Sequence, residues 1–243
     1  MIRIFFALIA VILFFTVSFF VILPVEWIIG KFSPRIQERS SLAIVKWAFR
    51  LVIFISGCKP RIIGYENVPK DEAVLYVGNH RSFFDIIITY TLVPSQTGYI
   101  SKKENRVPIL TQYMNNIHCL FLDRKDVKQG MKVILKAIDL IKSGVSVFVF
   151  PEGTRARTEE MLPFKEGSFK IASKTGCRIV PIAITGSSAI FEDHLPWLKS
   201  GEVIVEYGKP FTIAELSEED RKFPGRYTRS LIASMLEGHA NLS

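Results

Sequence analysis

Residues 4–23 set the tightest constraint on how this chain can fold. Ile4 to Leu23 is a run of twenty residues without a charge, interrupted only by the hydroxyls of Thr16 and Ser18. About 20 apolar residues in helical conformation match the hydrocarbon thickness of a bilayer, so the run is expected to form a membrane helix. A secretory leader is the competing reading, with Arg3 as its basic start. Its apolar region would exceed the roughly 7–15 residues usual in such leaders, and no small-x-small cleavage site follows. The expectation is a retained helix, in keeping with a chain that is 49% hydrophobic and carries 19 Phe.

Pro24 and the stretch from Gly30 to Pro34 are expected to break the run, and Trp27 suits a membrane interface. Arg35 to Ile55 reads as a second helix, with Arg39, Lys46 and Arg50 set among Leu42, Val45, Trp47, Phe49 and Val52. A basic amphipathic helix of this kind lies among lipid headgroups or dips into the membrane; the alternative is a helix packed on the domain that follows. Lys31, Arg35, Arg39, Lys46 and Arg50 follow the first helix, whereas only Arg3 and the amino terminus precede it. The positive-inside tendency then puts the rest of the chain on the cytoplasmic face of the membrane. Gly57 to Pro60 reads as a hinge, which divides the protein into membrane-associating helices (residues 1–57) and a second domain (residues 58–243).

In that domain strand-like and helix-like segments alternate. Val74–Val77, Thr97–Ser101, Ile117–Leu122, Val145–Phe150, Ile179–Ile184 and Val203–Tyr207 read as strands. Helices are expected from Ser82 onward, over Val127–Lys142, over Gly167–Thr175 and over Arg226–Leu236. In the second of these, Val127, Met131, Ile134, Leu135, Ile138 and Ile141 fall along one predicted face, and Gly144 marks its end. The alternation predicts an α/β fold with a mixed, largely parallel sheet flanked by helices. A formal charge of +8 suits nucleic acid, an anionic lipid surface or phosphorylated substrates. Charge alone supports nucleic acid, because no nucleic-acid motif accompanies it. Cys58, Cys119 and Cys177 are odd in number and widely spaced. They form neither a disulfide framework nor a metal-binding C-x-x-C pattern, which suits a reducing compartment.

Three polar clusters follow predicted strands: Asn79-His80 with Asp85, then Asp123-Arg124, then Pro151-Glu152-Gly153-Thr154-Arg155. In open α/β sheets, ligands bind beyond the carboxyl ends of the strands, so parallel strands would aim all three clusters at one crevice. An imidazole is matched to proton abstraction near neutral pH, and a carboxylate on its other nitrogen fixes the tautomer. No G-x-S-x-G elbow supplies a protein nucleophile, which points to activation of a hydroxyl on the substrate. Arg124 and Arg155 suit a planar anion, with phosphate leading. Each cluster also has a structural reading. Ser82-x-x-Asp85 fits a helix capping box, Asp123-Arg124 a surface ion pair, and Glu152-Gly-Thr a turn.

The segment N-H-R-S-F-F-D resembles the N-H-x-x-x-x-D signature of the glycerolipid acyltransferases. Phe121-Leu-Asp-Arg124, Phe150-Pro-Glu-Gly-Thr-Arg155 and Ile179-Val-Pro-Ile-Ala-Ile184, centred on Pro181, are similar to the three further blocks of that family, in the right order. Ser101-Lys-Lys-Glu104 and Pro163-Phe-Lys-Glu-Gly167 are similar to segments of its 1-acyl-glycerol-3-phosphate acyltransferase branch. The resemblance runs from about Gly57 to Gly208. It implies that His80 is a general base with Asp85 as its partner. It also implies that Arg124, Glu152, Gly153, Thr154 and Arg155 bind a glycerol-phosphate head, with Lys102 or Lys103 as an added phosphate contact. The implied acceptor is lysophosphatidic acid in a lipid bilayer, and the donor acyl-CoA or acyl-carrier protein, with no metal or other cofactor. Acceptors such as another lysophospholipid or a lyso-amino lipid, and a non-enzymatic tether for anionic lipid, are the alternatives. A phospholipase of the H-x-K-x-x-x-x-D type is disfavoured, since Ser82 stands where its lysine is needed.

Overall fold

A computed structural model describes residues 2–123, 125–158 and 160–240. The apolar run forms α1 (Ile2–Val17), a π-helical turn (Ser18–Ile22) and α2 (Leu23–Phe32), one directly after another. Pro24, expected to interrupt the run, lies inside this continuous helix. The π-turn just before it pairs the Leu23 N–H with the Ser18 carbonyl, five residues back, and this change of hydrogen-bond register accompanies Pro24 in the first turn of α2. The expected second break does occur. Ser33 is extended (φ −152°, ψ 96°), the conformation that Pro34 favours in the residue before it, and α3 (Pro34–Ser56) follows.

α3 buries Leu42 and Val45 in the domain core, so the second helix is packed on the domain. Gly57 ends it in the left-handed region (φ 72°), as a helix-terminating glycine does. The residues read as a hinge instead begin strand β1 (Cys58–Ile63), at an edge of the sheet where Pro60 is tolerated.

The remaining elements are β2 (Leu75–Gly78), α4 (Phe83–Leu92), β3 (Thr97–Lys102), α5 (Pro108–Asn116), β4 (Leu120–Leu122), α6 (Val127–Lys142), β5 (Ser146–Val149), α7 (Lys170–Thr175), β6 (Ile179–Thr185), β7 (Gly201–Tyr207), α8 (Glu218–Lys222) and α9 (Pro224–Ala240). The strands form one seven-stranded sheet in the order β1-β7-β6-β2-β5-β3-β4. From β6 to β4 all neighbours are parallel. β7 runs antiparallel to β6 and parallel to β1. This is the mixed, largely parallel α/β sheet that the alternation predicts. The expected strand over Ile117–Leu122 is shorter, because His118 adopts a positive φ of 62° and turns the chain before β4.

Alternate strand residues feed two cores. Tyr76, Phe148 and Val180 pack with Leu42, Val45, Phe84, Ile88 and Tyr113 on the side of α3, α4 and α5. Leu75, Val77, Val147 and Val149 pack with Ala137, Ile138, Ile171 and Ile232 on the side of α6, α7 and α9. α1 and α2 lie outside α3 on the first side. There Glu26, buried in α2, accepts a hydrogen bond from Ser41 Oγ at 2.7 Å, and Asn116 Nδ2 donates to the same Oγ at 3.0 Å. Tyr113 Oη donates to Ser18 Oγ at 3.1 Å. At the far end of the chain, His239 of α9 bridges Thr185 Oγ1 (2.7 Å) and Glu206 Oε2 (2.8 Å), pinning the last helix to β6 and β7.

α6 differs from its predicted face. It buries Val133, Ala137, Ile138 and Ile141, while Val127, Met131 and Leu135 are 80%, 61% and 57% exposed. The apolar residues of this helix occupy two stripes, and the sheet covers only one.

Candidate active site

β2 delivers Asn79 and His80 to the carboxyl edge of the sheet, as its apolar sequence predicts. Asn79 is buried and continues the pairing between β2 and β6 with its side chain. Its Nδ2 donates to the Ile184 carbonyl (2.9 Å), and its Oδ1 accepts from the Ile184 N–H (2.8 Å). The next residue is thereby held in the loop ahead of α4. His80 Nδ1 lies 2.8 Å from Asp85 Oδ2, and its ring stacks on Phe150 with centroids 4.2 Å apart. A carboxylate can only accept, so Nδ1 carries the proton and Nε2 keeps the lone pair that a base needs.

Asp85 also caps α4. Its Oδ2 accepts from the N–H groups of Arg81 (2.7 Å) and Ser82 (2.8 Å), and Ser82 Oγ accepts from Phe84 N–H (2.9 Å), which completes a capping box. Both sequence readings of this residue hold at once: one buried carboxylate starts the helix and orients the imidazole. Among the described residues, no serine, threonine or cysteine hydrogen-bonds to His80. The thiols of Cys58, Cys119 and Cys177 are free, and burial raises the pKa of each, that of Cys58 to about 12, which keeps them from acting as thiolate nucleophiles.

The loop after β5 lies at the same edge. Glu152 is 4% exposed. Its Oε1 accepts from His80 N–H at 2.7 Å and its Oε2 from Leu162 N–H at 2.9 Å. Burial pushes its pKa above the ordinary carboxylate range, against the lowering effect of those two N–H donors. The resemblance gives Glu152 a headgroup contact; the geometry gives it a bracing role, because both oxygens are taken by backbone. Ala156 N–H donates to the His80 carbonyl at 2.8 Å, so the loop grips both sides of His80. Gly153 has a φ of 75°, and a Cβ there would lie 2.8 Å from Lys165 Nζ, a cation beside the loop that sequence reasoning left without a role. Thr154 is exposed at the loop surface.

Arg155 is the basic residue of the third cluster. Its Nη1 meets Glu192 Oε1 at 2.8 Å, and its guanidinium lies 4.1 Å above the Phe83 ring. Glu192 was not singled out by the sequence. It also accepts from Ser82 Oγ (2.5 Å) and Phe83 N–H (2.8 Å), so it joins the start of α4 to Arg155. Its only sequence signal is its place just beyond β6, at the same sheet edge. Glu192→Ala is expected to lower stability by about 1–2 kcal/mol, because a helix-terminal N–H and a hydroxyl lose their acceptor. It should also cut kcat/KM by up to roughly 10²-fold through misplacement of the site. Glu192→Gln keeps an acceptor oxygen and should recover most of both losses, as thermal melts and steady-state kinetics would record.

The second cluster is only partly described. Arg124 lies outside the described residues, and Asp123 forms an ion pair with Lys103. That pairing, with the Lys125 N–H, holds the Asp123 carboxyl below its usual range. Lys102 ends β3 at the same edge. Pro181 is buried in β6 opposite Val77, and its carbonyl accepts from Gly208 N–H at 2.9 Å, which is a structural position.

The site is thus a histidine–carboxylate pair at the carboxyl edge of an α/β sheet, with an arginine stacked on Phe83 nearby and, among the described residues, no serine, threonine or cysteine hydrogen-bonded to the imidazole. The Acyltransferase family model matches residues 59–185, just over half the chain and all three clusters. The chain belongs to the acyltransferase family, and it is an enzyme. A 1-acyl-sn-glycerol-3-phosphate acyltransferase of Borreliella burgdorferi is 26% identical over 200 residues, covering 82% of this chain and 80% of that protein. A probable enzyme of the same name from Mycoplasma pneumoniae is 34% identical over 69% of this chain and 63% of its own length. A chloroplastic one from Brassica napus is 39% identical, but the match spans 45% of that protein. The crystal structure of the 1-acyl-sn-glycerophosphate (LPA) acyltransferase of Thermotoga maritima superposes with a TM-score of 0.77, over 98% of both chains at 23% identity, and shares the fold.

Proposed function

We propose that this enzyme transfers an acyl group from an acyl thioester, acyl-CoA or acyl-carrier protein, to the sn-2 hydroxyl of lysophosphatidic acid, yielding phosphatidic acid for phospholipid synthesis. The observation that carries the proposal is the His80–Asp85 pair, in which, among the described residues, no serine, threonine or cysteine hydrogen-bonds to the imidazole. The names of the relatives support the choice of acceptor. His80 Nε2 takes the proton of the acceptor hydroxyl as its oxygen attacks the thioester carbonyl. The new C–O bond gives a tetrahedral oxyanion. Its collapse breaks the C–S bond, and the imidazolium returns the proton to the departing thiolate. Asp85 stabilises the imidazolium while it lasts. Arg155, with Arg124 and Lys102 or Lys103, supplies positive charge for the phosphate, and Gly153 and Thr154 offer backbone and hydroxyl groups beside it. This chemistry calls for no metal or cofactor.

Membrane attachment belongs to the same reading. Residues 3–32 form a helix with a mean hydropathy of 3.0 in its most apolar window, and only 6% of that window is buried. This helix supports attachment to a bilayer and the flanking charges favour its cytoplasmic face; on this reading a lysophospholipid reaches the site from the lipid.

Purified enzyme in detergent or vesicles, given acyl thioesters, should release free thiol only when lysophosphatidic acid is present. Thiol release that ignores lysophosphatidic acid but follows another lysophospholipid or a lyso-amino lipid would replace the proposed acceptor. Release without any acceptor would indicate hydrolysis instead.

A further inference from the structure

α6 presents to solvent a stripe that its own fold does not use. Val127, Met131 and Leu135 stand one helical turn apart, and each is followed by a lysine: Lys128, Lys132 and Lys136, all exposed. The acids of α6 itself sit at the ends of this stripe. Asp126 caps the helix by accepting from Gln129 N–H at 3.0 Å, and Asp139 lies below the last lysine. A ridge of large apolar side chains flanked by one sign of charge is the composition of a docking surface for a partner of opposite charge.

The bilayer does not fit this surface. α1 and α2, with Phe5, Phe6, Ile12, Leu13, Phe19 and Phe20 turned outward, lie on the α3 side of the sheet, whereas α6 packs on the opposite side. A molecule seated on lipid through the first side holds the α6 stripe away from it. The stripe does lie near the reaction. α6 starts five residues after β4 ends, at the carboxyl edge that also carries His80. β4 is three strands from β2, or about 14 Å at the usual spacing.

We propose that the exposed face of α6 docks an acidic, soluble carrier protein that delivers the acyl group as a thioester on a flexible arm. The proposal rests on acyl transfer from a thioester and names the face through which a protein-borne donor approaches. The apolar ridge supplies contact area, and the lysines steer the acidic partner and fix its orientation.

The test compares palmitoyl-carrier protein with palmitoyl-CoA as donors for the full-length enzyme, the triple variant K128E/K132E/K136E and the single variant Met131→Ser. For both variants kcat/KM with the carrier-protein donor should fall, by roughly tenfold or more in the triple variant, while kcat/KM with palmitoyl-CoA stays within about twofold. The loss should shrink as salt screens the wild-type attraction. Equal loss with both donors, or no loss with either, overturns the proposal. So does loss of binding to vesicles containing phosphatidylglycerol without a donor-specific effect, which would make the stripe a lipid contact. Binding of unacylated carrier protein, titrated without turnover, separates the two levels. If the wild type binds and the triple variant does not, the surface stands even should thiol release fail. If the wild type does not bind, the surface falls even where acyl transfer proceeds.

Discussion

Replacing His80 with alanine is expected to lower the rate of acyl transfer by roughly 10²–10⁴-fold, the usual contribution of a positioned acid–base group. The protein should remain folded. The imidazole stacks on Phe150, and that contact is worth only about 1 kcal/mol. Asp85 keeps two backbone donors without it, so α4 stays capped. The measurement is thiol release alongside a thermal melt. Near-wild-type turnover with an unchanged melt would remove His80 from the mechanism and, with it, the main support for hydroxyl activation.

The second large effect is expected at Glu152, and it should fall on stability first. Glu152→Ala leaves the part-buried N–H groups of His80 and Leu162 without their acceptor. Each lost acceptor costs about 1–3 kcal/mol, partly offset because a carboxylate no longer has to be buried. A net loss of about 2–4 kcal/mol corresponds to a melting temperature lower by roughly 5–15 °C for a chain of this size. Activity should fall too, because the His80 backbone loses one of its two supports. The pH dependence has a definite sign. The folded-state pKa of Glu152 is raised, so its stability contribution is complete below the ordinary carboxylate pKa and is lost as pH rises through the higher folded value. The stability of wild type relative to Glu152→Gln should therefore improve as pH falls through that window. A difference independent of pH would mean that the carboxyl does not titrate abnormally.

Much of the fold and the centre of the site are legible in the sequence, for physical reasons. Val74 to Val77 is apolar throughout because both faces of β2 are covered. His80 and Asp85 are five residues apart because one ends a strand loop and the other caps the next helix. Other features depend on distant neighbours. The bracing role of Glu152 arises from an N–H seventy-two residues away, and no local pattern encodes it. Glu192 meets Ser82, Phe83 and Arg155 only once β6 lies beside β2. Pro24 read as a break because sequence rules assume an α-helical register, and the π-turn before it changes that register. α6 read as having one buried face because periodicity reports how far apolar residues extend around a helix, not how much of that arc a sheet covers.

The polar links among α2, α3 and α5 bear on how the apolar amino-terminal helix works. Glu26, Ser41 and Asn116 form a chain of hydrogen bonds, and Ser18 is fastened to Tyr113. An apolar helix riveted in this way behaves as a keel rather than a tether. On the membrane attachment proposed above, any depth and tilt of α1 and α2 in lipid would pass rigidly to the sheet, so the fold and not the length of a linker would set the height of His80 above the headgroups. Shaving off residues 1–33 would therefore unroof Ser41 and Tyr113 rather than free an intact soluble domain.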